Sequence, residues 1–162
     1  MAIKVAFFDC DGTLTEVKSS WEYLHRRLNI WDNNADHYQA LFRAGKIDYH
    51  EFCRRDALLW RGLPVAAVTK VLGDIPYQPH AHETIQALRE KGVATVILST
   101  GLSLLVDKVR QDLGIDLSLS NELLADKDFL TGGIMINVDY NRKDGIVKAV
   151  LDQMRLHKEE AC

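Results

Sequence analysis

The sequence is poor in cysteine, proline and glycine. Its three cysteines (Cys10, Cys53 and Cys162) are far apart and form no C-x-x-C pair, which argues against a zinc site or a disulfide framework. Three prolines and ten glycines among 162 residues are too few for a collagen-like or low-complexity chain. We therefore expect a globular protein of a reducing compartment, the cytoplasm.

The sequence also lacks long apolar runs and a large excess of either charge. The opening run 3–8 is interrupted by Lys4 and stopped by Asp9, so it is neither a membrane span nor a signal peptide. Twenty basic and 23 acidic residues give a net charge of −3, which provides no electrostatic reason to bind nucleic acid or an anionic membrane. We expect neither as a partner.

Two short apolar segments, 3–8 and 93–98, each end in a small polar loop. Such segments are typical of the middle of a parallel sheet that helices cover on both faces. Helical spacing recurs between and after them, residues 115–120 could form a third strand, and 123–136 looks like an edge β-hairpin. The predicted class is therefore α/β, with helices at 19–29, 34–45, 48–61, 64–73, 81–91, 102–113 and 143–157.

The first four of these helices interrupt the sheet between its first and second strands. We expect residues 18–74 to form a small helical cap, and residues 1–17 with 75–162 to form the α/β core. Trp21, Trp31 and Trp60, with Phe52, are expected to form the core of the cap itself.

Polar residues follow both apolar strands, where ligands collect in open α/β sheets. Asp9, Asp11, Thr13 and Ser99 should therefore converge. Two carboxylates at this spacing suit one nucleophile and one proton donor, or one site for a hard cation. The amides of Cys10 and Asp11, and those of Thr100 and Gly101 at a helix N-terminus, are expected to bind an anion.

These residues carry a resemblance to a known family. The segment Asp9-Cys10-Asp11-Gly12-Thr13 resembles the first signature, D-x-D-G-T, of the haloacid dehalogenase-like (HAD) phosphohydrolases. Ser99-Thr100-Gly101 resembles the second signature, and Lys143 resembles the phosphate-binding lysine of the third. Segments 48–64, 92–101 and 120–132 are similar to the phosphoserine phosphatase-like branch, so the likeness covers nearly the whole chain.

The resemblance implies a Rossmann-like fold and a phosphoaspartyl mechanism. Asp9 would attack phosphorus, and Asp11 would protonate the leaving alcohol and later activate water. Ser99 and Lys143 would hold the phosphoryl oxygens, together with the amides named above. Mg²⁺ would be bound by the Asp9 carboxylate and the Asp11 main-chain carbonyl, and the substrate would be a small phosphorylated metabolite.

The end of the chain departs from the family pattern. A fourth, acidic signature should follow the 143–157 helix, and only Asp139, Asp144 and Asp152 are available as substitutes. Without that segment the edge of the first strand would be bare, so we expect either a truncated product or a homo-oligomer that covers the edge. Two alternatives to a phosphatase stay open: a catalytically impaired binding or interaction module, and a phosphotransferase or mutase.

The substrate-binding positions of the cap also depart from the phosphoserine pattern. The glutamate expected for a substrate amine falls near Lys18, with Glu16 close by. The arginine expected for a substrate carboxylate falls at Asp56, beside Arg54 and Arg55. We therefore expect a small phosphomonoester other than phosphoserine.

Cys10, between the two aspartates, is not expected to be a nucleophile. No histidine is placed to activate its thiol, and the neighbouring carboxylates should raise its pKa. We expect the side chain to pack in the interior.

Overall fold

A computed structural model describes residues 2–30 and 33–162 of the chain. Within these residues the elements are four strands and seven α-helices, followed by a single 3₁₀ turn at Lys158–Glu160. In chain order they are β1 Val5–Phe8, α1 Ser20–Arg27, α2 Asn33–Arg43, α3 Tyr49–Leu58, α4 Val65–Gly73, α5 Ala81–Glu90, β2 Ala94–Leu102, α6 Ser103–Leu113, β3 Leu117–Asp126, β4 Phe129–Met135 and α7 Lys143–Met154.

The four strands form one sheet in the order β1-β2-β3-β4. The first three strands run parallel, and β4 pairs antiparallel with β3 as an edge hairpin. This arrangement confirms the predicted α/β class. The predicted third strand and the first arm of the predicted hairpin are one continuous strand, β3, and not two separate elements.

Helices cover both faces of the sheet because alternate strand residues point to opposite sides. On one face, Val5 and Val96 pack in a buried cluster with Val150 and Leu151 of α7. On the other face, Ile97 belongs to a larger cluster that includes residues of α5 and α6. The sheet is thereby held between two apolar layers, and its strand ends stay available for polar residues.

The second strand is longer than the sequence predicts. β2 continues through Thr100 and Gly101 to Leu102, which pairs with Asn121 of β3, and α6 begins only at Ser103. The expectation that Thr100 and Gly101 stand at a helix N-terminus is therefore wrong. Leu98 and Leu102 pair with Leu119 and Asn121 of β3, and the register is irregular between them, where Thr100 and Gly101 lie.

The outer edge of β1 is paired with residues of the same chain. The Lys4 amide donates to the Glu160 carbonyl, the Phe7 amide to the Cys162 carbonyl, and the Cys162 amide to the Val5 carbonyl. Residues around Ala161 thus run parallel to β1. The expectation of a bare edge is wrong, and a second subunit is not needed to cover it.

The helices α1–α4 share their apolar core with the sheet. Trp21 and Trp60 lie 5.3 Å apart between ring centroids, and both belong to the cluster that also contains Ile97 and Leu102. The expectation of a separate core for the cap is therefore wrong, because the aromatic residues bridge the two parts. Trp31 lies outside the described residues.

None of the helices in the described part of the chain combines the length and the apolar character that crossing a membrane requires.

Candidate active site

The turn after β1 places two carboxylates at the end of the sheet. The amides of Thr13, Leu14 and Thr15 all donate to the Cys10 carbonyl, so the chain folds back tightly after the strand. Gly12 has a φ of +76°, a conformation that glycine adopts without a Cβ clash. Asp9 and Asp11 consequently line the same cavity.

Lys143 meets Asp9 at this strand end. The Lys143 Nζ lies 2.9 Å from Asp9 Oδ2, and Asp9 Oδ1 accepts a hydrogen bond of 2.8 Å from the Cys10 amide. Lys143 is the first residue of α7, and α7 packs against the face of β1 that carries Val5. Helix packing therefore delivers the ammonium to the carboxylate.

Asp11 is held by the start of α1. Its Oδ2 accepts hydrogen bonds of 2.7 Å from both the amide and the hydroxyl of Ser20. Its Oδ1 is buried and has no hydrogen-bond partner among the described residues. Burial raises the pKa of the Asp11 carboxyl above its ordinary value, against the lowering effect of the Ser20 hydrogen bonds. Such a carboxyl is suited to carrying a proton.

Gly101 allows β2 to approach these groups closely. A Cβ at this position would lie 3.1 Å from Ser99 Oγ and 3.2 Å from both Asp11 Oδ2 and Ser20 Oγ. These three side-chain oxygens therefore lie close to the Gly101 Cα, and the absence of a side chain there lets Ser99 approach Asp11. A larger residue would have to displace them.

The Thr100 carbonyl joins β2 to its surroundings. It accepts hydrogen bonds from Trp21 Nε1 of α1 at 3.2 Å, from the Tyr49 hydroxyl of α3 at 3.3 Å and from Asn121 Nδ2 of β3 at 3.2 Å. Donors from two cap helices and from the sheet thus meet at one strand end. This junction fixes the helices over the cavity.

Asn121 links this junction to the segment before Lys143. The side chain is fully buried, its Nδ2 also donates to the Tyr49 hydroxyl and to the Val138 carbonyl, and its Oδ1 accepts from the amides of Asn137 and Val138. All the hydrogen-bonding atoms of the amide group are used. The segment leading to α7 is thereby anchored to the sheet.

Two amides that were expected to bind an anion have partners within the chain. The Cys10 amide donates to Asp9 Oδ1, and the Gly101 amide donates to Ser99 Oγ at 3.0 Å. The Cys10 side chain is fully buried, as predicted. Burial, and then the charges of Asp11 and Asp9, raise the pKa of its thiol, which argues against a thiolate nucleophile.

A cavity of about 350 Å³ lies over this strand end. Its described walls combine five aromatic and six charged residues. The described lining residues are Asp9, Asp11, Lys18, Ser19, Trp21, Glu22, Ala35, Gln39, Phe42, Arg43, Tyr49, Phe52, Asp56, Thr100 and Tyr140. A cavity of this size accommodates a small metabolite.

The predicted substrate residues divide into two groups. Lys18 and Asp56 line the cavity, whereas Glu16, Arg54 and Arg55 are not among the described lining residues. Both Arg54 and Arg55 form ion pairs with Glu51 on the surface of α3. A role for those two arginines in the substrate site stays a prediction.

Several lining residues were not predicted, namely Glu22, Gln39, Arg43, Tyr49 and Tyr140. They stand on helices with ordinary amphipathic patterns or in the segment before α7. The sequence offers no local signal for them, since only tertiary packing directs them to one cavity.

Two carboxylates at this strand end, those of Asp9 and Asp11, could bind a divalent cation. Asp9 and Asp11 offer hard oxygen donors, and Mg²⁺ is often held by one or two carboxylates plus substrate phosphate and water. No group of three His, Cys, Asp or Glu side chains suited to a metal occurs within residues 2–30 and 33–162. Asp139, Asp144 and Asp152 therefore do not complete such a group, and Asp139 instead contacts His50.

The similarity to known proteins agrees with this geometry. The model of the haloacid dehalogenase-like hydrolase family matches residues 6–161. The chain belongs to this family. Its curated relatives include a probable phosphoserine phosphatase of Schizosaccharomyces pombe, 31% identical over 97% of this chain and 53% of that protein. A phosphoserine phosphatase of Archaeoglobus fulgidus is 28% identical over 91% of this chain and 42% of its own length.

Solved structures of the family share the fold. A phospho-aspartyl intermediate analogue of phosphoserine phosphatase superposes with a TM-score of 0.84 over 99% of this chain and 77% of that one, at 23% identity. A HAD family hydrolase from Salmonella enterica serovar Typhi gives a TM-score of 0.90 over 99% of this chain and 55% of that one, at 19% identity. The chain spans about half the length of the curated relatives described above.

Proposed function

We propose that this chain forms the catalytic part of a phosphomonoesterase that hydrolyses a small phosphomonoester through an aspartyl-phosphate at Asp9. The observation that carries the proposal is the Lys143–Asp9 contact of 2.9 Å at the wall of a cavity that Asp11 also lines. This arrangement brings together a nucleophile (Asp9), a residue that can carry a proton (Asp11) and a cation for the phosphoryl group (Lys143). The family membership supports the same chemistry.

In the first step an Asp9 carboxylate oxygen attacks phosphorus. The new O–P bond forms as the bond from phosphorus to the ester oxygen breaks, and the leaving oxygen takes a proton from Asp11. The Lys143 ammonium reduces the repulsion between the carboxylate and the phosphate dianion, which would otherwise oppose the attack.

In the second step water attacks the phosphorus of the aspartyl-phosphate. Asp11, now ionised, accepts a proton from that water, the Asp9–phosphorus bond breaks, and inorganic phosphate leaves. The raised pKa of Asp11 supports this alternation between acid and base. Ser99 would contribute its hydroxyl to the phosphoryl oxygens, and the Thr100–Gly101 backbone would set its position.

A divalent cation, which we expect to be Mg²⁺, would supply further neutralisation of the phosphate charge. Asp9 and Asp11 would be its ligands from this chain.

The helices of 18–74 would act as a lid that excludes water and selects the substrate. The hydrogen bonds from Trp21 and Tyr49 to the Thr100 carbonyl support a lid attached to the strand that carries Ser99. The three cysteines are free, in keeping with a protein of the reducing cytoplasm.

Replacing the nucleophile tests the proposal. Asp9→Asn should abolish phosphate release from a panel of small phosphomonoesters in the presence of Mg²⁺, while Asp152→Asn, on the exposed side of α7, should leave it unchanged. Retained turnover in Asp9→Asn would remove Asp9 from the mechanism.

The two-carboxylate donor set favours one second candidate, a non-catalytic module that keeps the fold and an anion site. Titration with Mg²⁺ by calorimetry separates the candidates, because only the phosphatase needs to bind the cation at physiological concentration. Product analysis separates hydrolysis from phosphoryl transfer to a second alcohol, since only hydrolysis releases one inorganic phosphate per ester consumed.

A further inference from the structure

We propose that Asp56 is a specificity-determining residue and that the leaving alcohol of the substrate carries a protonated amine. This inference rests on the proposed function, because it names the class of phosphomonoester that the same cavity takes. The chain of reasoning begins with the position of Asp56 in α3, where it is buried and lines the cavity.

The Asp56 carboxylate is oriented from one side. Its Oδ2 lies 3.4 Å from His25 Nε2, and the side chains of Asp56 and His25 are 4% and 0% exposed. The His25 ring in turn packs on Trp60 at 4.6 Å between centroids. Packing therefore fixes both partners, and the carboxylate cannot turn out to solvent.

The other oxygen of this carboxylate is available. Asp56 Oδ1 is buried and accepts no hydrogen bond from any described residue. A buried carboxylate oxygen without a donor is costly, so a ligand that brings a donor there gains the bond and removes that cost. Asp56 Oδ1 is thus a hydrogen-bond acceptor at the cavity for which no described residue provides a donor.

The surroundings favour a cationic donor over a neutral or acidic one. Trp21 and Phe52 line the same cavity, and aromatic faces attract ammonium groups. Two cationic side chains of the chain, Lys18 and Arg43, line the same cavity, but neither donates a hydrogen bond to Asp56 Oδ1. The arginines of α3 are paired elsewhere, with Glu51. A substrate carboxylate at this point would be repelled by Asp56.

Binding of non-hydrolysable phosphonates tests the inference without requiring turnover. The probes are 2-aminoethylphosphonate, 2-hydroxyethylphosphonate, propylphosphonate and 3-phosphonopropionate, titrated by calorimetry with Mg²⁺ present. We expect the amine to bind roughly tenfold or more tightly than propylphosphonate, as for a hydrogen bond to a buried charge. The carboxylate probe should bind most weakly.

Two variants assign the preference to Asp56. Asp56→Asn should remove the advantage of the amine and leave the affinity for propylphosphonate unchanged. Asp74→Asn, which alters a surface carboxylate that faces Arg27, should keep the wild-type order. The comparison of probes on the wild-type chain tests the preference even where Asp56→Asn is poorly folded.

Equal affinities for the amine and propyl probes would overturn the inference, and so would an amine preference that survives in folded Asp56→Asn. A hydroxyl probe that binds as tightly as the amine would refute the requirement for a cation. An amine preference that depends on Asp56, without hydrolysis of any phosphomonoester, would instead refute the proposed function and leave Asp56 as the amine-binding residue of a non-catalytic site.

Discussion

The Lys143 ammonium lies 2.9 Å from the Asp9 carboxylate, although 134 positions separate the two residues in the sequence. The contact joins the first residue of α7 to the turn after β1. Because α7 is packed on the sheet through Val150 and Leu151, the ammonium is held by the fold and not by a flexible loop. The catalytic proposal depends on this relationship.

Removing the ammonium should impair catalysis more than it impairs folding. In Lys143→Gln the charge opposite Asp9 is lost, and we expect kcat/KM for a phosphomonoester to fall roughly 100- to 1,000-fold. Lys148→Gln, one turn further along α7 and exposed, is the control and should retain full activity. Equal activities of the two variants would show that Lys143 does not serve the phosphoryl group.

A methyl group at Gly101 should disturb the oxygens gathered there. In Gly101→Ala the new Cβ would stand 3.2 Å from Asp11 Oδ2, so we expect a displaced Asp11 and a kcat reduced roughly 100-fold with the fold retained. Gly145→Ala is the control, because a Cβ there meets nothing within 4 Å. Wild-type kcat in folded Gly101→Ala would argue against the close approach of β2.

The sequence predicts the strand ends better than the cavity above them. Asp9, Asp11 and Ser99 can be predicted because short apolar strands ending in polar loops have a strong pattern, whereas Lys143 is predicted only from the family resemblance. Tyr49 and Arg43 could not be predicted as cavity residues, because the apolar residues of their helices have the same spacing as in any amphipathic helix. The continuation of β2 to Leu102 depends on the pairing of Leu102 with Asn121 of β3, which a local pattern does not encode. The same holds for the residues that pair with the outer edge of β1.

Loss of the Asn121 amide should loosen the segment before Lys143. Asn121→Ala removes the acceptor of the Asn137 and Val138 amides, so we expect the free energy of unfolding to fall by about 2 kcal/mol or more. Urea denaturation measures the change, with the exposed Asn141→Ala as a control that should stay within about 0.5 kcal/mol of wild type. A neutral Asn121→Ala would refute the anchoring role.

The pairing of the last residues with β1 should depend on pH through Glu160. Its carboxylate accepts from the His157 amide and contacts Lys4 at 2.7 Å, and these two interactions lower its pKa below the ordinary 4.5. A group whose pKa is lowered by folding stabilises the fold above its ordinary pKa and stops doing so as the pH falls through the lowered value. The stabilisation should therefore be lost in acid.

Hydrogen exchange at Phe7, whose amide donates to the Cys162 carbonyl, measures this effect. We expect its protection factor to decrease as the pH falls below 4.5 in the wild type, and to be low and independent of pH over that range in Glu160→Gln. Glu159→Gln, next to it and more exposed, should behave as the wild type. Identical pH profiles for Glu160→Gln and the wild type would contradict the assignment.

Trapping the covalent intermediate tests the central claim most directly. In Asp11→Asn, p-nitrophenyl phosphate should still phosphorylate the nucleophile, because its leaving group needs little protonation, while hydrolysis of the intermediate is slowed. Borohydride reduction followed by mass spectrometry should then find homoserine at position 9, formed from the aspartyl-phosphate. Release of p-nitrophenol with residue 9 unmodified, or with the label on another residue, would contradict the account.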